Sequence, residues 1–326
     1  MIGGSQVSNR AWREGWTCLP ALLPVLVVVA TLLVAGDIRS DDNATAPLRF
    51  AFASSSLFPE VPESDAKAAL RVWARALGQD RGIPVDPEAF ILHGMGGIAD
   101  AMREKRVDAV SLLTAEYWKL GKDVLTGPFI LGASEGRVTE EYVLLVHQES
   151  GIKGVGDLRG RSLIFCRNPR TSLAPTWLDV TLAKSGLPRS VELCGRVAHV
   201  NKVSQAVLPV FFRKSDACVV TRRGFETMSE LNPQVGRQLK VLALSPEVVP
   251  SMSCFRKDYT EPTKEKLLAE IDKIHTTPAG HQVLTIFQCE RLEVHPVSCL
   301  DSALQLLSDH SRFFASSKGT RDGKND

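Results

Sequence analysis

Residues Glu141 to Leu187 read EYVLLVHQESGIKGVGDLRGRSLIFCRNPRTSLAPTWLDVTLAKSGL, and this stretch decides the fold. An apolar strand pattern, Tyr142 to Val146, runs into Ser150-Gly151-Ile152. A short turn follows at Asp157-Leu158-Arg159-Gly160. A second strand, Ser162 to Cys166, stops at the polar cluster Asn168-Pro169-Arg170-Thr171-Ser172, which opens a helix with Pro175 in its first turn. The free N–H groups and the dipole at a helix N-terminus favour an anion. Arginine is unfavourable there unless something negative offsets it. Arg170, with the hydroxyls of Thr171 and Ser172, therefore points to a held oxyanion. The alternative is plain capping, in which Thr171 or Ser172 satisfies the free N–H groups and Arg170 faces water.

Outward from this stretch, apolar strand runs alternate with helical patterns. Leu48 to Ala53 predicts a strand, Ala66 to Leu77 an amphipathic helix, Phe90 to Leu92 a strand, Ile98 to Lys105 a helix, and Ala109 to Leu113 a strand. Val191 to Cys194 and Ala217 to Val220 predict two further strands. This βαβ rhythm implies an α/β protein with parallel or mixed sheets covered by helices. Ligands in such folds sit at the carboxyl ends of the strands. The polar clusters there are Ser54-Ser55-Ser56, Thr114-Ala115-Glu116, Asn168 to Ser172 and Thr221-Arg222-Arg223. Ser54 and Ser55 offer hydroxyls or loop caps. Arg222 is a ligand contact or a solvated edge. Tyr117, just past a strand end, is a pocket wall or a core residue.

The 141–187 stretch resembles the phosphonate/phosphite-type periplasmic solute-binding proteins of ABC importers, and the resemblance covers about 48–310. That family shows an SGI…DLKG crossover, a strand and a Ser/Thr-rich helix start. The matching residues are Ser150-Gly151-Ile152, Asp157 to Gly160 and Arg170-Thr171-Ser172. A second family segment is similar to Val107 to Tyr117, and a third to Ser215 to Val220. The resemblance implies a two-lobed type II periplasmic-binding-protein fold. Lobe one takes 47–143 and 245–315, and lobe two takes 144–244. Two strands, near Tyr142 to Val146 and near Val241 to Ala243, cross between them as a hinge. It also favours Tyr117 and Thr114 as pocket residues. Where the family often places a His-Asp pair, this chain has Asn201-Lys202 ahead of Ala206-Val207. An amine-bearing phosphonate would want that acid, so Lys202 argues for a plain anion: phosphate, phosphite or a simple phosphonate.

Composition bounds the function. The 326 residues carry 39 Lys and Arg against 37 Asp and Glu, a net charge of +2, with the basic residues scattered among acidic ones. No nucleic-acid groove is implied. Arg10 and Arg13 precede an apolar run from Leu19 to Gly36, which Asp37, Arg39, Asp41 and Asp42 end. The run lies between a signal peptide and a minimal membrane span, and the arginines hold the N-terminus in the cytoplasm. The segment 1–46 is thus a signal peptide, cleaved after Gly36 or Ala46, or an anchor in the inner membrane. Either way the remainder is periplasmic. Cys18 precedes the run, where a lipoprotein cysteine must follow it. Six cysteines remain: Cys166, Cys194, Cys218, Cys254, Cys289 and Cys299. In an exported chain an even number permits disulfides, with Cys289–Cys299 and Cys166–Cys194 as candidate pairs. The tail 316–326, rich in Lys, Gly and Ser, is expected to be disordered.

Three motifs invite other chemistry. Gly132-Ala133-Ser134-Glu135-Gly136 matches G-x-S-x-G, but strand-like residues follow it where a nucleophile elbow needs a helix. Gly94-Met95-Gly96-Gly97-Ile98-Ala99 matches a loose dinucleotide form, but it is not the fold's opening turn. His275, His281 and His295 lack the spacing of a metal motif. The sequence therefore predicts a monomeric binding component without cofactor or metal, which closes on a small oxyanion and hands it to an ABC permease. A membrane-anchored sensing domain on the same fold is the alternative, and an exported hydrolase stands behind both.

Overall fold

Runs of β-branched and aromatic residues build two mixed sheets, each covered by helices on both faces. The computed structural model describes residues 46–315 apart from Ala89. The expectations for the 1–45 leader and the 316–326 tail fall outside the described residues. The strands are β1 (Phe50–Ala53), β2 (Phe90–Leu92), β3 (Ala109–Leu113), β4 (Leu125–Ala133), β5 (Tyr142–His147), β6 (Ser162–Cys166), β7 (Arg196–Val200), β8 (Ala217–Thr221), β9 (Leu239–Leu244), β10 (Ser251–Arg256) and β11 (Arg291–His295). The helices are α1 (Glu63–Arg81), α2 (Gly94–Arg103), α3 (Thr114–Leu120), α4 (Ala174–Lys184), α5 (Ser190–Leu193), α6 (Val203–Phe211), α7 (Arg222–Leu231), α8 (Pro233–Gln238), α9 (Pro262–Glu270), α10 (Pro278–Ile286) and α11 (Asp301–Phe314). Among the described residues no helix is long and apolar enough to cross a membrane.

The first sheet has the order β11-β4-β10-β3-β1-β2, and the second β7-β6-β8-β5-β9. In each, parallel strands from βαβ units adjoin antiparallel ones where the chain enters or leaves. Strand alternation puts Phe50 and Phe52 on one face of the first sheet and Ala51 and Ala53 on the other, so each sheet has a core on both sides. The second sheet repeats this, with Leu144, Phe165 and Val219 on one face and Leu145, Cys166 and Val220 on the other.

The chain crosses from β4 to β5 through residues 134–141 and returns from β9 to β10 through 245–250. The crossings pair antiparallel: Glu140 N donates to Val248 O (2.8 Å) and Val248 N to Glu140 O (3.0 Å). The strands expected to cross, β5 and β9, instead pair with each other within the second sheet, and the crossing segments lie just outside them. Helix α11, however, is shared between the sheets: Leu304 packs beside the core of the first. Its apolar face, Ala303, Leu306 and Leu307, is buried in the second sheet's core beside Leu173, Ala174, Trp177 and Leu178. Most of α11's buried face thus packs with the second sheet, while Leu300 and Leu304 pack with the first.

Two other expectations are corrected. Residues 191–194 lie at a short helix, and the strand beside β6 is β7. The buried Asp179 carboxylate holds that helix start, accepting from the Ser190 amide (2.8 Å) and hydroxyl (2.7 Å). Among the described residues no disulfide is formed, and the six cysteines there carry free thiols. The two candidate pairs each straddle a sheet. Cys166 lies in the core on one face of the second sheet and Cys194 in the core on the other. Cys289 and Cys299 are likewise divided by the first sheet. Burial pushes the thiols of Cys166, Cys194, Cys289 and Cys299 up to about 11, and those of Cys218 and Cys254 higher still.

Candidate functional site

A cleft of about 760 Å³ opens where the carboxyl ends of β1, β3, β6 and β7 face one another. The first sheet contributes Ser54 and Ser55 from the turn after β1, with Phe58 and Leu113. The second contributes Arg167, Asn168, Thr171 and Ser172 from the chain after β6, with His199 and Asn201 from the end of β7. Arg167 is the only lysine or arginine among the described residues that line it. Its amide donates to Val200 O (2.7 Å), while its exposed guanidinium makes no hydrogen bond or ion pair among the described residues.

The polar groups after β6 divide between the fold and the cleft. Asn168 Oδ1 accepts from the Thr171 amide (3.2 Å), and Thr171 Oγ1 accepts from the Asn168 amide (3.0 Å). The Thr171 hydroxyl donates to Cys166 O (2.7 Å), and the residue is buried. This is the reciprocal cap of the 3-10 turn Pro169–Thr171, and it occupies the Thr171 side chain. Ser172 donates to Pro250 O (3.1 Å) on the returning crossing segment. Ser55 donates to Glu116 Oε1 (2.7 Å), whose other oxygen accepts from the Leu113 amide (2.9 Å). The Ser54 hydroxyl has no partner among the described residues. His199 stacks on Phe165, ring centres 5.7 Å apart.

Arg170 faces elsewhere. Its guanidinium donates to Glu140 Oε1 (2.9 Å), Ser134 Oγ (2.9 Å) and Gln288 O. Arg223 donates to the same Glu140 oxygen (2.7 Å) and to Ser134 O (3.0 Å). The anion that offsets Arg170 is thus the chain's own Glu140, buried on the crossing segment. Burial raises the Glu140 carboxyl, against the pull of Arg223 downward. Ser134 is buried in this cluster, donating to Gln288 O (3.2 Å), and the chain turns back at Arg137 with no helix after it.

Four further candidate residues do not line the cleft. Thr114 is fully buried and donates to Val249 O (2.5 Å). Tyr117 packs edge-on against Phe129, 5.3 Å between ring centres, inside the core of the first sheet. Arg222 is tied to Glu141 (3.1 Å) and Glu226 (2.8 Å) at a separate charged groove. Lys202 caps α6, its amide donating to Gln205 Oε1 (3.3 Å), with its side chain exposed beside the cleft wall. Sequence reasoning missed Arg167 and His199. The signal for Arg167 was its place, the first residue beyond β6, where strand ends face the ligand.

Two mixed α/β lobes, joined by paired crossing segments and facing each other across a cleft at their strand carboxyl ends, define a type II periplasmic binding protein. Residues 56–295 match the family described as ABC transporter, phosphonate, periplasmic substrate-binding protein, and the chain belongs to that family. No curated protein matches the sequence significantly. Among solved structures, XAC2383 from Xanthomonas citri bound to ATP is similar at 14% identity and TM-score 0.60, covering 82% of this chain and 98% of that one. PA3383 from Pseudomonas aeruginosa, a binding protein component of an ABC phosphonate transporter, shows 18% identity and TM-score 0.56, covering 85% and 90%. PhnD1 from Prochlorococcus marinus in complex with methylphosphonate shows 13% identity and TM-score 0.52, covering 81% and 97%. At these identities the likeness is one of fold.

Proposed function

We propose that this protein is a periplasmic receptor that captures a small oxyanion between its lobes and delivers it to an ABC permease. The observation that carries this is the unpaired Arg167 guanidinium in the cleft, flanked by Asn168, Asn201, His199 and the partnerless Ser54 hydroxyl. A charged donor with no internal partner, set among hydroxyl, amide and imidazole groups with Glu63 also on the lining, suits phosphate, phosphite or an alkylphosphonate. Ser55, Thr171 and Ser172 frame the site, since each hydroxyl already has a partner in the fold. Binding draws the lobes, about 47–143 with 245–300 and 144–244 with 301–315, together about the paired crossings. No covalent chemistry is involved, and the receptor acts as a monomer.

The test is a thermal-shift and calorimetry panel of phosphate, phosphite, methylphosphonate and sulfate on the full chain. A ligand at a hundred times its Kd adds about 2.7 kcal/mol, which raises Tm by roughly 5–10 °C for a domain of this size at about 2–4 °C per kcal/mol. A panel in which no anion moves the melting curve removes this reading. The apolar run Leu19 to Gly36 favours a second reading, an anchored sensing domain on the same fold. Mass analysis of the mature N-terminus separates them: a start near Asp37 or Pro47 means a released receptor, and an intact start means an anchored one.

A further inference from the structure

A second cavity lies on the other side of Pro169 from the Arg167 cleft. It sits on the face of the first sheet covered by α1, α9 and α10, and measures about 130 Å³. Its walls are apolar and aromatic, with Phe50, Phe52, Leu70, Trp73, Leu284 and Phe287. Its floor carries Ser111, Ser251 and Ser253, whose hydroxyls have no partner among the described residues. Ser111 and Ser253 are directly opposed in register across β3 and β10. The indole Nε1 of Trp73 is also buried without a partner. Two guanidiniums stand at the rim: Arg170, already paired with Glu140, and Arg137, whose side chain has no partner among the described residues. Phe58 and Pro169 line both this cavity and the cleft, so the two meet at those residues.

A tightly built core fills such a space, because a lining without partner atoms forfeits its contacts. An apolar cavity of about 150 Å³ accommodates one benzene ring, and this one is close to that size. Unlike a plain packing defect, it has unpartnered hydroxyls on its floor and an unpaired cation at its rim. We propose that it binds a ring-sized apolar group, aryl or short branched alkyl, that forms the organic substituent of the oxyanion ligand. The preferred ligand class is thereby an arylphosphonate or similar organic oxyanion rather than a bare inorganic anion. The position of the oxyanion head rests on the reading of the Arg167 cleft, whereas the cavity's taste for a ring does not.

Three probes separate the two parts: methylphosphonate carries the head alone, phenylphosphonate the head and ring, and toluene the ring alone. Affinities are measured by calorimetry and melting curves on the full chain, and on Ser253→Leu, which fills the cavity floor. Phenylphosphonate is expected to bind at least about tenfold tighter than methylphosphonate, from the apolar area the ring buries, and Ser253→Leu should erase that difference. Equal affinities for the two phosphonates, or a preference that survives the filled cavity, overturn the proposal while leaving the oxyanion receptor intact. If neither phosphonate binds, the proposal falls whether or not toluene raises Tm, and the receptor reading is decided by the wider anion panel. Should Ser253→Leu fail to fold, saturating toluene on the wild-type chain makes the same comparison: it should weaken phenylphosphonate and leave methylphosphonate unchanged, and equal effects on the two overturn the proposal.

Discussion

Arg167 and Arg170 lie in the same polar cluster and serve different ends. Arg167 follows β6 directly and projects into the cleft unpaired, whereas Arg170 is turned back onto Glu140, Ser134 and Gln288. Arg167→Ala should therefore weaken oxyanion binding by roughly tenfold or more, since a hydrogen bond to a charged group is worth about 1.5–3 kcal/mol. As an exposed residue it should leave Tm nearly unchanged. Arg170→Ala should do the reverse, lowering Tm while moving affinity less. Calorimetric affinity and unliganded melting temperature for both variants check this, and the opposite pattern would return the anion to Arg170. The sequence showed that an arginine beside a helix start needs an anion. It did not show whether the anion comes from solution or from a crossing segment some thirty residues earlier, because Glu140 approaches only through tertiary structure.

At the scale of elements, the turn after β6 was legible because its capping residues are local. Asn168 and Thr171 satisfy each other's amides over three positions, a pattern readable without any distant partner. That same occupancy makes Thr171 a structural residue first. Thr171→Ala should cost about 1 kcal/mol of stability for the lost cap, visible as a Tm lowered by roughly 2–4 °C. Thr171→Ser keeps the hydroxyl and should recover most of it. A Thr171→Ala protein that melts normally yet binds poorly would assign the hydroxyl to the ligand instead. Elements set by long-range pairing were harder to read. Strand β4 contains Gly127-Pro128, which marks a break in a single sequence, yet it is held between β10 and β11. Residues 191–194 are apolar enough for a strand but are wound into a helix by the buried Asp179–Ser190 contact.

Over the whole molecule, the α/β class was readable from the βαβ rhythm, which follows from chain order, and the two-lobed plan came from the family resemblance of the 141–187 stretch. The charge cluster that holds the lobes together was not readable from either. Glu140 sits on the outgoing crossing, Arg170 and Arg223 come from the second lobe, and Ser134 and Gln288 come from the crossing and the first lobe. Removing the carboxylate leaves two guanidiniums facing each other without an anion, and breaking a buried pair this way costs about 3–5 kcal/mol. Glu140→Ala should accordingly melt several degrees below the parent in a calorimetric scan. A variant as stable as the parent would mean that the cluster contributes nothing to the junction.

Helix α11 adds a mechanical constraint. Strand β11 is paired with β4 in the first sheet, while α11, a few residues later, is seated in the second sheet's core. The chain thus ties the lobes at three places rather than two, the third being the short span from Pro296 to Leu300. Two tethers side by side permit both bending and twisting, whereas a third set apart from them leaves chiefly one axis of rotation. Any rocking of one lobe against the other has to be absorbed by those few residues as well as by the two crossings.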